Sequence, residues 1–185
     1  MANFTANEIK KSFVKLLNTK PYNKITVKDI VEDCEINRNS FYHHFADIPT
    51  LVEAIFVDEN QRLMNKHKTI DSLNAFIDDI AEECFENKRA ILNLFNSSNR
   101  ALYEEYAMRI SEDAVTKYFA QAFKDIKVDE HDLNVAIQAS KCMLFGICID
   151  WANRGLNEEY VETLHEMVEL LHGISDTVIS RIRID

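Results

Sequence analysis

The stretch TVKDIVEDCEINRNSFYHHF, residues 26–45, reads as two short helices around a tight turn. Thr26 is placed to N-cap the first, its hydroxyl accepting from the amide of Lys28 or Asp29, and Val27, Ile30 and Val31 then share one inward face. Asn37 is placed to cap the second. From that cap Phe41 and Phe45 fall four residues apart on one stripe, which leaves Arg38, Asn39, Ser40, Tyr42, His43 and His44 on the remaining surface. An apolar first helix, a short turn and a second helix with a polar, aromatic outer face make the helix-turn-helix design, whose second helix enters the DNA major groove.

Upstream of that stretch, Thr5-Ala6-Asn7-Glu8 has the form of a capping box, and Phe4 and Ile9 stand at hydrophobic-staple positions, so a helix is expected to begin at residue 5 or 6. Its stripe of Ile9, Phe13, Leu16 and Leu17 predicts a small three-helix core with Val27, Ile30, Phe41 and Phe45, and Pro21 stops it. Lys10, Lys11 and Lys15 fall off the stripe, where phosphate contact and plain solvated charge are both open. Downstream, Asp47 is placed to cap a fourth helix, with Pro49 in its first turn, running through Leu51, Ile55 and Phe56 to about Lys66.

The rest of the chain is a series of helical patterns without a repeat or a low-complexity segment. Leu73, Phe76, Ile77, Ile80 and Cys84 mark one helix; Ile91, Leu92 and Phe95 mark a short one; Leu102 to Phe123 mark a long one after the break at Ser97-Ser98-Asn99. Asp129 begins another, which Gly155 ends as a C′ residue, and Asn157 is placed to cap the last, through Val161, Leu164, Val168 and Leu171 to Ile182. With three glycines and two prolines in 185 residues, there is little turn chemistry for strands. The fold class is therefore all-α, with about nine helices.

No apolar run approaches the roughly 18 residues of a membrane span, and the N-terminus lacks a signal-peptide core, so a cytoplasmic protein with no membrane partner is expected. Cys34, Cys84, Cys142 and Cys148 show no CxxC spacing and read as buried, reduced thiols within helices. The formal net charge is -10, yet residues 1–50 hold seven Lys/Arg against six Asp/Glu. A near-neutral head on an acidic body is compatible with DNA, because phosphates feel the local field within a Debye length.

No Gly-rich phosphate loop, nucleophile elbow or HExxH occurs, so an enzyme is not expected and no cofactor is called for. Adjacent His43 and His44 point about 100° apart on a helix and cannot chelate one metal together. His131 lies in an acidic helix start, and His165 and His172 have no accompanying Cys or carboxylate pattern, so no metal site is expected.

At ITVKDI, at INRNSFYHHF and at Asp47 and Leu51, the sequence resembles the TetR (TetR/AcrR) family of bacterial transcriptional regulators, which keeps its DNA-binding domain in this N-terminal position. One departure is Glu35, which stands where the family usually has Gly in the turn; at positive φ it would cost roughly 1 kcal/mol relative to Gly. The resemblance implies a helix-turn-helix domain over 1–47 and a helical effector-binding and dimerisation domain over 48–185. Following the matching positions, Arg38, Asn39, Ser40 and His43 are candidates for base edges, and Thr26, Lys28, Tyr42 and His44 for phosphates, with Lys24 a further phosphate candidate. The implied function is a transcriptional regulator, a repressor, that binds a pseudo-palindromic operator in double-stranded DNA as a homodimer and answers a small-molecule effector.

The run KCMLFGICIDW, residues 141–151, is too apolar for a helix with one wet face, so it is either central or covered by a partner, and the last helix shows the same excess. In the resembling family these helices pair with their two-fold mates, which makes Leu144, Cys148, Leu164, Met167 and Leu171 the candidate dimer interface. Phe76, Ile80, Phe95, Tyr103, Tyr106, Tyr118, Phe145 and Trp151 either line an effector pocket or form plain core. The GICIDWANRG run is similar to a group of such regulators from low-GC Gram-positive bacteria, some of which answer to a protein partner. Two alternatives therefore stand beside the effector reading: control by a protein partner, and a helical adaptor that no longer binds DNA.

Overall fold

Nine α-helices and one 3-10 turn carry the described residues of the computed structural model, which are 2–67 and 73–182, with side chains described over 4–67 and 73–170. The helices are α1 (Ala2–Leu17), α2 (Val27–Asp33), α3 (Arg38–His44), α4 (Ile48–Lys66), α5 (Leu73–Glu86), α6 (Lys88–Phe95), α7 (Arg100–Ala122), α8 (Glu130–Asn153) and α9 (Glu159–Ile182), with the 3-10 turn at Tyr22–Lys24. The chain is all-α. It divides into two compact units, residues 1–62 with 87–106, and residues 63–86 with 107–185.

In the first unit α1 packs on α2, α3 and α6. Ile9, Phe13, Leu17, Ile30, Phe41 and Phe45 form its buried core, and each such side chain contributes roughly 1.5–3 kcal/mol by leaving water. Leu51 and Val52 of α4 and Ala90 and Leu94 of α6 join the same cluster. The unit therefore draws on residues far beyond 47, with α6 packed directly on α1.

Two expected helix starts are corrected by the structure. Helix α1 begins at Ala2, so Thr5 lies inside it rather than at its cap, and Phe4 is 72% exposed rather than stapled. Extending the helix upstream gains backbone hydrogen bonds that a cap at Thr5 would forgo. Helix α9 begins at Glu159, and Asn157 does not cap it: Asn157 Oδ1 is buried without a hydrogen-bond partner among the described residues, while the Asn157 carbonyl accepts from Trp151 Nε1 at 3.0 Å.

In the second unit α9 packs on α5 and α8, and Val115 and Phe119 of α7, with Phe123 just past its end, meet Leu133, Ala136, Ile137 and Leu144 of α8. Asp129 caps α8 by accepting from the Asp132 amide at 3.0 Å. The helix ends in a Schellman motif, with Gly155 at φ 72° and bonds from the Gly155 amide to the Ala152 carbonyl and from the Leu156 amide to the Trp151 carbonyl. Burial pushes the thiols of Cys84 and Cys148 up to about 12 and about 11, which keeps them protonated and inert.

Helix α8 also corrects the reading of hydropathy. By length and composition it is apolar enough to cross a membrane, although no uninterrupted apolar run shows this, and only 11% of its most apolar window is buried. Its one central charge, Lys141, is neutralised by Glu112 of α7 at 3.4 Å.

Candidate nucleic-acid interface

The interface is built from two caps and a turn. Thr26 is extended, and its hydroxyl accepts from the Asp29 amide at 3.2 Å while the Asp29 carboxylate accepts from the Thr26 amide at 2.7 Å. This reciprocal capping box fixes where α2 starts. Lys20 Nζ lies 2.7 Å from the same carboxylate, and the hydrogen bonds from Lys20 and Thr26 hold the Asp29 carboxyl down at about 2. The turn after α2 is a second Schellman motif: the Glu35 amide bonds to the Glu32 carbonyl and the Ile36 amide to the Val31 carbonyl. Glu35 occupies its left-handed position at φ 55°, where a Cβ is strained.

Asn37 caps α3, its Oδ1 accepting from the Ser40 amide at 2.8 Å and from the Ser40 hydroxyl at 3.1 Å. Phe41, fully buried, and Phe45, 6% exposed, anchor the helix from below. Arg38, Asn39, Tyr42 and His43 are left exposed on its outer side. Arg38 Nη2 donates to Tyr42 Oη at 3.1 Å, and the guanidinium lies 5.5 Å from the Tyr42 ring centre. His44 is half-buried and meets His43 edge to face at 5.2 Å. Among the base-edge candidates, then, Arg38, Asn39 and His43 share the open surface, whereas the Ser40 hydroxyl is turned back onto the cap. Thr26 and Lys28 are exposed beside the start of α2.

The surrounding lysines are mostly paired. Lys10 meets Asp58 at 2.6 Å, Lys11 meets Glu8 at 2.9 Å, Lys15 meets Asp33 at 2.6 Å and Lys28 meets Glu32 at 3.6 Å. Arg38 and Lys24 have no such carboxylate partner among the described residues. Formal charge thus overstates what the head offers to a phosphate, and the sequence could not reveal this because the Lys10, Lys15 and Lys20 pairs join separate helices and turns.

The aromatic candidates divide between the units. Phe95 is 1% exposed in the first unit, with the Tyr103 ring edge-on at 5.1 Å and the Arg100 guanidinium 4.0 Å from its centre, and Tyr106 stacks on Phe56 at 3.9 Å. In the second unit Trp151 is 5% exposed against Phe85, whereas Phe76, Ile80, Tyr118 and Phe145 are half-buried.

Among the interface candidates, Leu164 is buried in its own unit, Leu144 packs on the cluster of Val115, Phe119 and Phe123, and Cys148 is half-buried. Met167 is half-buried, and the Leu171 side chain lies outside the described residues. The open apolar side of α8 is formed by different residues, Val135, Ala139, Cys142, Met143 and Gly146. A shallow groove along α9 is lined by Val161, Glu162, His165, Glu166 and Glu169.

Comparison with known proteins agrees with this architecture. Residues 14–55 match the model of "Bacterial regulatory proteins, tetR family", and residues 71–173 match that of "Transcriptional regulator C-terminal region". No curated protein sequence matches the chain. Among solved structures, the dihydroxyacetone kinase operon activator DhaS is similar with a TM-score of 0.72 at 20% identity, covering 96% of each chain. Salmonella enterica GusR follows at 0.59 and 16% identity, over 90% of this chain and 94% of its own. A TetR transcriptional regulator from Rhodococcus sp. RHA1 gives 0.58 at 14% identity, over 90% and 96%. At such identities these likenesses speak for the fold alone. The two family models together cover the helix-turn-helix and most of the helical body, and the chain belongs to the TetR family of non-enzymatic, DNA-binding transcriptional regulators.

Proposed function

We propose that the protein is a homodimeric repressor whose two α3 helices read the half-sites of a pseudo-palindromic operator. The observation that carries this reading is the exposed row Arg38, Asn39, Tyr42 and His43 on a helix capped by Asn37 and anchored by Phe41. Arg38 offers the bidentate fork that fits guanine O6 and N7, and Asn39 the amide that fits adenine. Thr26, Lys28, Tyr42 and His44 supply the phosphate contacts that set register. The second copy docks on the open side of α8, where Val135 is 55% and Met143 51% exposed with no exposed charge between them. Covering that side removes an exposed apolar stripe from water.

Enrichment of random duplexes by the purified chain tests the proposal. A pseudo-palindrome with half-sites separated by about one or two helical turns supports it, and no enrichment over random DNA defeats it. The sign of control is read from a reporter carrying the enriched site; DhaS is named an operon activator, so activation is the second reading. An effector would lodge in the second unit, where Phe76, Ile80, Tyr118 and Phe145 keep apolar surface half-open. A metabolite that raises the melting temperature in proportion to RT ln(1 + [L]/Kd) supports an effector, and a protein that binds in place of any metabolite supports the partner reading.

A further inference from the structure

Helices α1 and α6 cap each other. The first turn of α6 has no capping hydrogen bond from its own Asn87; instead the Ala90 amide donates to Asn18 Oδ1, just past the end of α1, at 3.1 Å. In return Asn93 Nδ2, on α6, donates to the Leu17 carbonyl at 2.6 Å, a group that the end of α1 leaves without a helical partner, and to the Lys20 carbonyl of the following turn at 3.3 Å. Asn18 Nδ2 donates to the Val14 carbonyl at 3.2 Å, which fixes the direction of its amide. The loop after α6 adds Asn99 Nδ2 to Tyr22 Oη at 2.5 Å and Ser98 Oγ to Asn23 Oδ1 at 3.3 Å.

These bonds grip residues 17–23 from one side. From the other side Lys20 Nζ holds Asp29, whose carboxylate closes the capping box on Thr26. One connected polar chain therefore runs from α6 to the N-cap of the helix-turn-helix.

Resting on the DNA-reading function above, we propose that Asn18 and Asn93 are positioning residues for DNA reading: their reciprocal caps bind α6 into the head and lock the α1–α2 junction that presents Thr26 and α3. Asn18 serves as acceptor toward α6 and Asn93 as donor toward α1. Isosteric carboxamide-to-carboxylate changes therefore have opposite outcomes. Asn18→Asp keeps the acceptor for the Ala90 amide and gives up only the bond to the Val14 carbonyl, which still accepts from the Asn18 backbone amide, whereas Asn93→Asp loses its donor toward two carbonyl oxygens and turns a charge onto both.

The test uses the full chain, a duplex enriched by the wild type, and amide hydrogen exchange. Asn93→Asp and the uncharged Asn93→Ala weaken that duplex by about tenfold or more and speed exchange over residues 18–26, while Asn18→Asp stays within about threefold of wild type. Exchange in α8 is unchanged in all three. Asn93→Ala binding the duplex like wild type overturns the proposal, as does an Asn18→Asp loss equal to that of Asn93→Asp. A wild type that enriches no duplex defeats the DNA reading instead; the exchange measurement still decides the lock, which is overturned by unchanged protection of residues 18–26 in Asn93→Ala.

Discussion

Arg38 and Tyr42 act as one unit on the outer side of α3: Arg38 Nη2 donates to Tyr42 Oη at 3.1 Å, one helical turn on. The phenol oxygen thereby holds the guanidinium while its own O–H stays free to donate. On the proposed reading of α3, this bond couples the base contact of Arg38 to the phosphate contact of Tyr42. We predict that Arg38→Ala costs roughly 1–3 kcal/mol on the enriched duplex, and that Tyr42→Phe weakens the preference for that duplex as well as overall affinity. In a double-mutant cycle the two changes are non-additive by about 0.5–1.5 kcal/mol. Additivity within about 0.3 kcal/mol would show that the pair separates on DNA.

Salt dependence reports the lysine pairing. Because Lys10, Lys15, Lys20 and Lys28 already face carboxylates, each must exchange a partner to reach a phosphate. Lys28 is the most open of them, at 3.6 Å from Glu32, so Lys28→Ala should shallow the slope of log K against log salt by about one per half-site. Glu32→Gln releases that lysine and should tighten random DNA. An unaltered slope in Lys28→Ala would remove it from the phosphate contacts.

Local chemistry was legible in the sequence and long-range chemistry was not. Thr26, Asn37 and Asp129 cap helices as their spacing predicts, because each cap closes on an amide three residues away. The inward stripe of Phe41 and Phe45 followed from helical periodicity for the same reason. Thr5 failed because both helix starts satisfy local rules and only the extra backbone bonds decide. Membership of α6 in the first unit rests on Ala90 and Leu94 joining the core and on Asn18 and Asn93 bonding partners 72 to 76 residues away, which no window of sequence contains. The free side of α8 was hidden by its composition: where apolar residues surround a helix, periodicity cannot tell Leu144, turned to its own core, from Met143, turned outward.

Adjacent residues on α8 give opposite outcomes for a single charge. Met143→Glu places a carboxylate on the proposed two-fold surface but leaves the subunit core intact, so it should yield folded monomer in sedimentation velocity. Leu144→Glu buries the charge against Val115, Phe119 and Phe123, so it should lower helical content and melting temperature before any effect on assembly can be read. A Met143→Glu protein that sediments as a dimer moves the interface off this side.

The turn offers a stabilising change. Glu35 holds φ 55° at the C′ position of a Schellman motif, which glycine adopts without a Cβ penalty. Glu35→Gly should stabilise the first unit by about 1 kcal/mol, seen as slower amide exchange at Ile30 and Val31. Faster exchange there would mean that the Glu35 side chain contributes more than its backbone costs.

The capping box contributes to the acid limit of the same unit. Hydrogen bonds from Lys20 and Thr26 depress the Asp29 carboxyl to about 2, below the roughly 3.9 of an unfolded chain. A depressed folded value means that the unfolded state takes up the proton first, so the contribution is complete above about pH 4 and disappears as pH falls through about 2. Asp33, paired with Lys15, and Asp47, which caps α4, shift in the same direction, so the wild-type acid transition belongs to several groups. The difference between wild type and Asp29→Asn isolates one of them. In urea unfolding followed by helical circular dichroism, that difference should be constant from neutral pH to about 4 and shrink steadily toward pH 2. A difference that stays at full size at pH 2 would assign the effect of Asp29→Asn to lost geometry at the cap instead of to the charge shared with Lys20.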